Sequence, residues 1–237
     1  MRYLLIILCA CTISFTSCKV YKFHGEGHVA PQDPHVELKT GQVIQGEKVE
    51  RVTGFHKDRI VIDSQYFKSK DVAYYSNGYQ NYANVGGKDF AMQIAGGNIN
   101  VYRLDMEISY NDKFNNSTKS GTAFYYYIQQ DGKKEVQTLS FRHITPMIPD
   151  NTSSFEYLKH LTRNRNIAKT SLYGGMGLFV LGAIASTIQL RGSNANAFNV
   201  GELCMGLGLG FTITGRVGKR KNYSNLLKVI EMRNNNE

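Results

Sequence analysis

The sequence predicts an α+β protein, in which an antiparallel β domain precedes a C-terminal helical region. Between residues 35 and 148, short runs rich in β-branched and aromatic residues are separated by turn signals such as Asn77-Gly78 and Asp131-Gly132. Farther along the chain, residues 170–190 and 203–215 form two uncharged, glycine-rich apolar runs. The change from short runs to long ones indicates strands followed by helices.

The clearest element of the β domain is a hairpin. Two strand-like runs, Phe124–Ile128 and Val136–Phe141, flank the sequence Gln-Asp-Gly-Lys at 130–133, and Asp-Gly between such runs is a strong hairpin signal. Similar runs recur from His35 onward, so we expect roughly seven to nine antiparallel strands. They would close as a small barrel or stack as a sandwich.

The tyrosine-rich strand at 124–128 has two faces. Strict alternation places Phe124, Tyr126 and Ile128 on one face, and Tyr125 and Tyr127 on the other. Tyrosine binds ligands with both its ring and its hydroxyl group. The strand is therefore either one side of a ligand site or an ordinary packed strand.

A helix is predicted to begin after Pro149. Ser153-Ser154-Phe155-Glu156 matches a capping box, so we expect a helix over 154–165. Leu226, Leu227 and Ile230 share a helical face near the end of the chain and predict a short terminal helix there.

The region 170–217 is predicted to be an apolar helical hairpin. Gly206 and Gly210 are four residues apart, Thr214 continues that face, and Gly182 and Ser186 repeat the spacing in the first arm. In water each glycine costs a helix up to about 1 kcal/mol relative to alanine. In lipid, small residues at this spacing allow two helices to approach closely. The composition therefore favours a hairpin embedded in a membrane.

Three placements of this hairpin remain open. It inserts into an outer membrane, it lies half-inserted with its basic flanks on lipid headgroups, or it packs on the β domain as a buried helical pair. The positive-inside preference disfavours a hairpin that returns both basic ends to the outer side of an inner membrane. The flanking basic residues are Lys159, His160, Arg163, Arg165 and Lys169 before the first arm, and Arg216, Lys219, Arg220 and Lys221 after the second.

The N-terminus has the layout of an export signal. Arg2 supplies a positive charge, residues 3–15 are uncharged and mostly apolar, and small residues lead into Cys18. The sequence Phe15-Thr16-Ser17-Cys18 resembles the lipobox of bacterial lipoproteins, from which Phe15 departs because a leucine-type residue is usual there. The resemblance implies cleavage before Cys18, acylation of Cys18 with palmitate-type chains, and attachment to the cell envelope at the outer membrane. The glycine-rich region is similar to the glycine-zipper segments of some envelope lipoproteins.

These observations divide the chain into four parts. We expect a signal peptide over 1–17, a lipidated tether over 18–34, the β domain over 35–148, and a helical region over 153–237 that contains the hairpin 170–217. The tether is polar and carries glycine and proline, which suits a segment that holds a domain away from a membrane.

Cysteine usage agrees with export and lipidation. Of the four cysteines, Cys9 and Cys11 would leave with the signal and Cys18 would carry lipid, which leaves Cys204 without a disulfide partner. Cys204 lies in an apolar stretch, where we expect it to act as a small buried hydrophobic residue.

Charge indicates the kind of partner. The net charge of +9 in an exported protein favours anionic lipid headgroups or acidic glycans. No basic-aromatic motif of the known nucleic-acid-binding folds is present, so no nucleic-acid partner is expected.

The sequence carries no catalytic or cofactor motif. Gly-x-Ser-x-Gly, His-Glu-x-x-His, Cys-x-x-Cys and P-loop patterns are all absent. His24 and His28 are four apart, but Gly25 and Gly27 argue against the helix that would aim them at one metal. His56, His143 and His160 are isolated in sequence. We therefore expect no catalysis, no cofactor and no metal.

Two functions follow from these expectations. The first is a lipid-anchored envelope protein that acts as a scaffold, with membrane lipid and either another protein or a second copy of the chain as partners. The alternative is a module that binds a small ligand or glycan on the β domain.

Overall fold

The computed structural model describes residue 29 and residues 32–54, 58–112, 117–189, 200–220 and 222–235. Over these residues the predicted α+β class is confirmed: an antiparallel half-barrel sheet is followed by C-terminal helices. The predicted signal peptide, Cys18, the paired His24 and His28, and His56 lie outside the described residues.

The described strands form two antiparallel sheets. Eight strands pair in the order β11-β10-β9-β8-β7-β6-β1-β2, and three pair in the order β3-β4-β5. The strands are β1 (His35–Leu38), β2 (Val43–Gln45), β3 (Val49–Val52), β4 (Arg59–Ile62), β5 (Gln65–Lys68), β6 (Val72–Ser76), β7 (Asn81–Gly86), β8 (Asp89–Ala95), β9 (Ile99–Asp112), β10 (Ser117–Gln130) and β11 (Gln137–Thr138).

The predicted hairpin around Asp131-Gly132 is present, but its second strand, β11, is short. β11 pairs with β10 only at Tyr127↔Thr138 and Ile128↔Gln137. The long hairpin is instead β9–β10, whose 14-residue strands pair along their whole length. The described residues form eleven strands, more than the seven to nine expected, because segments as short as β2 and β11 also pair as strands.

The larger sheet curls until distant strands meet. Three strands separate β6 from β10, yet Gln129 on β10 donates a hydrogen bond to the Tyr74 hydroxyl on β6 at 2.9 Å. Tyr74 in turn donates to the Lys134 carbonyl, and Lys134 pairs with Glu37 on β1 at 2.8 Å. These side-chain bonds bridge the open side of the half-barrel and give the sheet a concave and a convex face.

The convex face carries the two main cores. One lies between the sheet and the helices, and it is formed by residues that include Ile99, Val101, Ile128, Phe141, Ile144, Leu158, Leu161, Leu226 and Ile230. The other lies between the two sheets, and it is formed by Val36, Val49, Ile60, Ile62, Val72, Tyr75 and Phe90. The burial of these side chains is the main source of the fold's stability.

A polar clamp fixes the small sheet to the large one. Arg51 on β3 pairs with Asp58 at 3.1 Å, donates to the Lys88 carbonyl at 2.9 Å, and lies over the Phe90 ring at 5.3 Å. Burial alone would raise the pKa of the Asp58 carboxyl, but hydrogen bonds from Arg51 and Ser69 outweigh burial and hold that pKa below its usual value. Asp58 is therefore charged at neutral pH and holds Arg51 in place.

Four described helices follow the strands: α1 (Phe141–Ile144), α2 (Ser153–Gln189), α3 (Val200–Arg220) and α4 (Asn222–Asn235); short 3-10 turns span Ser69–Asp71 and Thr145–Met147. The helix expected over 154–165 and the first hairpin arm are one continuous helix, α2. Its cap also differs from the capping box expected at Ser153, because the Thr152 hydroxyl accepts from the Phe155 amide at 3.2 Å.

The terminal helix α4 is held against the turn between β8 and β9. The Asn234 side chain accepts from the Ile99 amide at 3.1 Å and donates to the Ile99 carbonyl at 2.9 Å. Gly97, with φ of +141°, leaves room for it, since a Cβ there would lie 2.7 Å from Asn234. The chain after the hairpin therefore returns to the body of the protein, so both ends of the hairpin are fixed there.

Candidate functional site

The two hairpin arms, α2 and α3, pack antiparallel through glycine. A Cβ at Gly208 would lie 2.5 Å from the Phe179 nitrogen and 2.6 Å from the Gly175 carbonyl oxygen. A Cβ at Gly182 would likewise meet the Gly201 carbonyl oxygen at 2.6 Å. These distances leave no space for a side chain, so the two backbones are in direct contact.

The interface glycines repeat every seventh residue. On α3 they are Gly201, Gly208 and Gly215; facing them on α2 are Ala168, Gly175 and Gly182. A seven-residue repeat keeps one stripe of each helix turned toward its partner as the two helices wind around each other. The hairpin is thus an antiparallel pair with small residues along its interface, in a repeat typical of helices that wind around each other.

The glycine face predicted for the second arm was wrong. A Cβ at Gly206 or Gly210 would meet nothing within 4 Å, and Thr214 is exposed. Gly182 and Ser186 on the first arm do face the partner helix, and both are buried. The four-residue spacing predicted the correct face on one arm only, because both arms carry glycine on more than one face. The seven-residue spacing of Gly201 and Gly208 is the sequence signal that identifies the interface.

The large apolar side chains of the hairpin point away from the interface. Within 173–186 and 200–212, the buried residues whose side chains the structure describes are Gly175, Gly182, Ser186, Gly201 and Gly208. The exposed large apolar residues are Tyr173, Met176, Leu178, Phe179, Val180, Leu181, Ile184, Val200, Leu203, Leu207, Leu209 and Phe211. This arrangement is the reverse of a water-soluble helical pair, which buries its large side chains and exposes small or polar ones.

The third placement, a pair buried on the β domain, does not describe this hairpin. Leu181 is 64% exposed. One described helix, over Ser153–Ser186, is long and apolar enough to cross a membrane, and only 11% of its most apolar stretch is buried. A core helix passes the same test of length and composition but is mostly buried. Counted from Leu172 to Gln189, the arm is about 27 Å long, close to the ~30 Å of a bilayer core.

Basic side chains surround the base of the hairpin. Lys159, Arg163 and Lys169 on α2 are exposed, and the Arg165 guanidinium lies 4.7 Å over the Phe141 ring. Two cavities of about 280 and 680 Å³ flank α2 at this level, and each combines apolar walls with two of these basic residues. The base of the hairpin therefore presents positive charge next to apolar surface. The side chains of the basic residues at 216–221 are not among those that the structure describes.

A second exposed surface is the end of the β9–β10 hairpin. Beyond Arg103 its strands pair only with each other among the described strands, and Met106, Ile108 and Tyr125 on one face are each more than 40% exposed. We name this segment the β arm. It extends the concave face of the sheet as an apolar ribbon.

The predicted alternation of the tyrosine-rich strand is present. Tyr126 packs against the core beneath the helices, and Ile128 is fully buried there. Tyr127 lies on the concave side opposite Tyr102. Phe124 is 51% exposed and the Arg103 guanidinium lies over its ring. The strand is therefore partly packed in the core and partly exposed to solvent.

The described histidines and Cys204 occupy separate places. His143 Nδ1 donates to the Thr138 carbonyl at 2.8 Å, His35 Nδ1 donates to the Asp33 carbonyl at 2.8 Å, and His160 lies beside Asn164. Over the described ranges, no three His, Cys, Asp or Glu side chains come together as a metal-binding group. Cys204 is half-buried on α3, next to Gly182.

Comparison with known proteins adds no relative to this description. No protein-family model matches the chain, and neither a curated protein nor a solved structure is significantly similar to it.

Proposed function

We propose that the chain is a lipid-anchored cell-envelope protein, without a catalytic role, that holds a β domain at the outer membrane through two contacts. The first contact is acylated Cys18, which follows the lipobox-like sequence. The second is the hairpin of α2 and α3. The β domain between them acts as a scaffold for another protein or for a second copy of the chain.

The observation that carries this proposal is the outward direction of the hairpin's apolar side chains. Covering such a side chain contributes about 1.5–3 kcal/mol, so leaving about a dozen half-exposed in water costs on the order of 10 kcal/mol. Inserting the hairpin into lipid removes that cost without rearranging the glycine interface. Packing backbone against backbone through small residues is also how helices associate within bilayers.

The charges at the hairpin base support the same orientation. Lys159, Arg163 and Lys169 are exposed where α2 leaves the body, and each basic residue near an anionic surface adds about 1 kcal/mol of attraction. The tether 18–34 can extend up to about 55 Å, so Cys18 need not lie close to the start of β1. The body would then lie on the side of the bilayer that carries the acyl chains.

The β arm supports a role in binding a partner. Its exposed apolar face, with Met106, Ile108 and Tyr125, is a contiguous surface of the kind that marks protein interaction sites. It lies on the sheet and is separate from the hairpin, so a partner bound there leaves the membrane contact free.

The alternative function, binding of a small ligand or glycan by the β domain, is favoured by one observation. Beside the apolar cluster of Ala83, Ala91 and Tyr102, the concave face of the half-barrel leaves an open, tyrosine-containing cleft. This alternative and the scaffold are compatible, since the cleft and the hairpin share no residues.

The two-contact proposal predicts a split result for Cys18→Ser. The variant should lose acyl labelling completely but remain in the membrane fraction, because the hairpin still holds it. Fractionation with a radiolabelled or clickable palmitate analogue measures both properties, and Cys204→Ser is the matched control, which should keep the label.

Two results would contradict the proposal. If Cys18→Ser moves to the soluble fraction, the hairpin is not a membrane contact. If the unmodified chain takes up no acyl label, Cys18 is not a lipid anchor.

A further inference from the structure

The concave face of the half-barrel ends in a polar cleft of about 610 Å³, within the range of small-ligand sites. The pairing registers explain which side chains meet there. Glu37 lies opposite Tyr74, Gln93 opposite Tyr102, and Gln129 opposite Asn100, so all of them project from the same face of the curled sheet.

Two hydrogen-bond networks hold the walls of the cleft. Asn81 donates to Gln93 at 3.0 Å, and Gln93 donates to Asn100 at 3.2 Å. Next to this network the Tyr102 hydroxyl donates to Gln129 at 2.7 Å, and Gln129 donates in turn to the Tyr74 hydroxyl. Each side chain is thereby fixed before any ligand arrives, which reduces the entropic cost of binding.

The walls offer donors and acceptors without net charge. Burial raises the pKa of Tyr74 to about 12, with a smaller contribution from Glu37, and burial raises the pKa of Tyr102 still further. Both hydroxyl groups are therefore neutral at any physiological pH. The charged residues of the lining are Glu37, Asp131, Lys133 and Lys134. Lys134 is paired with Glu37, and Lys133 is balanced by the negative charge of Asp131, so the lining carries no excess of positive charge for a phosphate or sulfate.

One acceptor in the wall is unsatisfied. The Oδ1 atom of Asn81 is buried and has no hydrogen-bond partner among the described residues, whereas buried polar atoms are normally paired. A bound hydroxyl or amide donor that reached this atom would complete the network. The cleft thus differs from the cavities at the hairpin base, which combine apolar walls with arginine and lysine.

We propose that this cleft binds a neutral saccharide. Sugar hydroxyls both donate and accept hydrogen bonds, as do the Asn and Gln side chains that line the walls, and the Tyr74 ring adds an aromatic group to the cleft. The inference rests on the alternative function of the β domain and not on the hairpin. Its failure would leave the membrane proposal intact.

Calorimetric titration of the full chain in detergent micelles tests this inference with two neutral probes, chitotriose and maltotriose, and one anionic probe, a heparin-derived disaccharide. We expect at least one neutral probe to bind, and the anionic probe to bind at least about tenfold more weakly. Chitotriose alone would identify an N-acetylated glycan as the source, and maltotriose alone an unacetylated one. No heat from either neutral probe up to about 10 mM, a concentration above the Kd of weak small-ligand sites, would overturn the proposal, as would equal binding of the anionic probe.

Substitutions of cleft residues test whether the saccharide binds in the cleft. Gln93→Ala should weaken binding of the neutral saccharide by about tenfold, because it removes one ligand-facing amide and frees two neighbours. Gln65→Ala, at an exposed position of the three-stranded sheet, is the matched control and should bind normally. Asn100→Asp keeps the shape of the side chain and should also weaken binding, which guards against a Gln93 variant that fails to fold. Unchanged affinity in both folded cleft variants would overturn the proposal.

Discussion

Gly208→Ala is expected to loosen the hairpin, and Gly206→Ala, two residues away on the same helix, is expected to stabilise it. The added methyl group at Gly208 would lie 2.5 Å from the Phe179 nitrogen, whereas at Gly206 it would meet nothing within 4 Å. Overpacking of this kind costs about 1–3 kcal/mol. At the open position alanine gains up to about 1 kcal/mol of helix propensity.

Amide hydrogen exchange in detergent micelles measures this difference. Amides of α2 and α3 should exchange roughly 5- to 150-fold faster in Gly208→Ala, the range that corresponds to the overpacking cost. In Gly206→Ala they should exchange no faster than in the unmodified chain. Gly175→Ala, on the facing helix, should behave like Gly208→Ala. Equal effects at Gly206 and Gly208 would refute the seven-residue interface.

The double variant Leu181→Glu/Leu207→Glu, made in the Cys18→Ser background, is expected to release the protein from membranes. Both leucines are more than half exposed on the outer faces of the arms, so the substitutions leave the glycine interface unaltered. Each charge placed within the bilayer core costs about 2.5–3.5 kcal/mol. Together they should lower the membrane-bound to free ratio by about 10³-fold or more.

Fractionation after sodium carbonate washing measures this release. Tyr66→Glu, in the same Cys18→Ser background, is the control, because Tyr66 is 66% exposed but lies on the three-stranded sheet; it should stay bound. If the double glutamate variant also remains with the membrane, the hairpin does not hold the protein there.

The fold class could be predicted from the sequence because it depends on local patterns. Strand-like runs, turn dipeptides such as Asp131-Gly132 and two long uncharged segments are visible without knowing which strands pair. The alternation over 124–128 could be predicted for the same reason, since it follows from the geometry of a single strand.

The cleft could not be predicted because it depends on distant residues. Tyr74 and Gln129 are 55 positions apart and meet only because the sheet curls. Neither belongs to a recognisable motif, and Asn, Gln and Tyr in strands are common. The sequence indicated the tyrosine-rich strand 124–128 as a possible ligand face, whereas the tyrosines of the cleft wall are Tyr102 and Tyr74.

The hairpin interface was partly predictable. Small residues at a four-residue spacing correctly predicted close packing of two helices, but the face of α3 that does the packing depends on how the pair winds. Gly201 also precedes the uncharged run 203–215, so the pattern of that run alone does not reveal the repeat of Gly201 with Gly208.

The central claim is that the outer surface of the hairpin lies in lipid, and tryptophan fluorescence tests it most directly. The chain has no tryptophan, so Leu181→Trp introduces a single reporter on the hairpin and Tyr66→Trp a single reporter on the β domain. In vesicles containing brominated acyl chains, the emission from position 181 should be blue-shifted and strongly quenched, while that from position 66 should be neither. Unquenched, red-shifted emission from position 181 would contradict the claim.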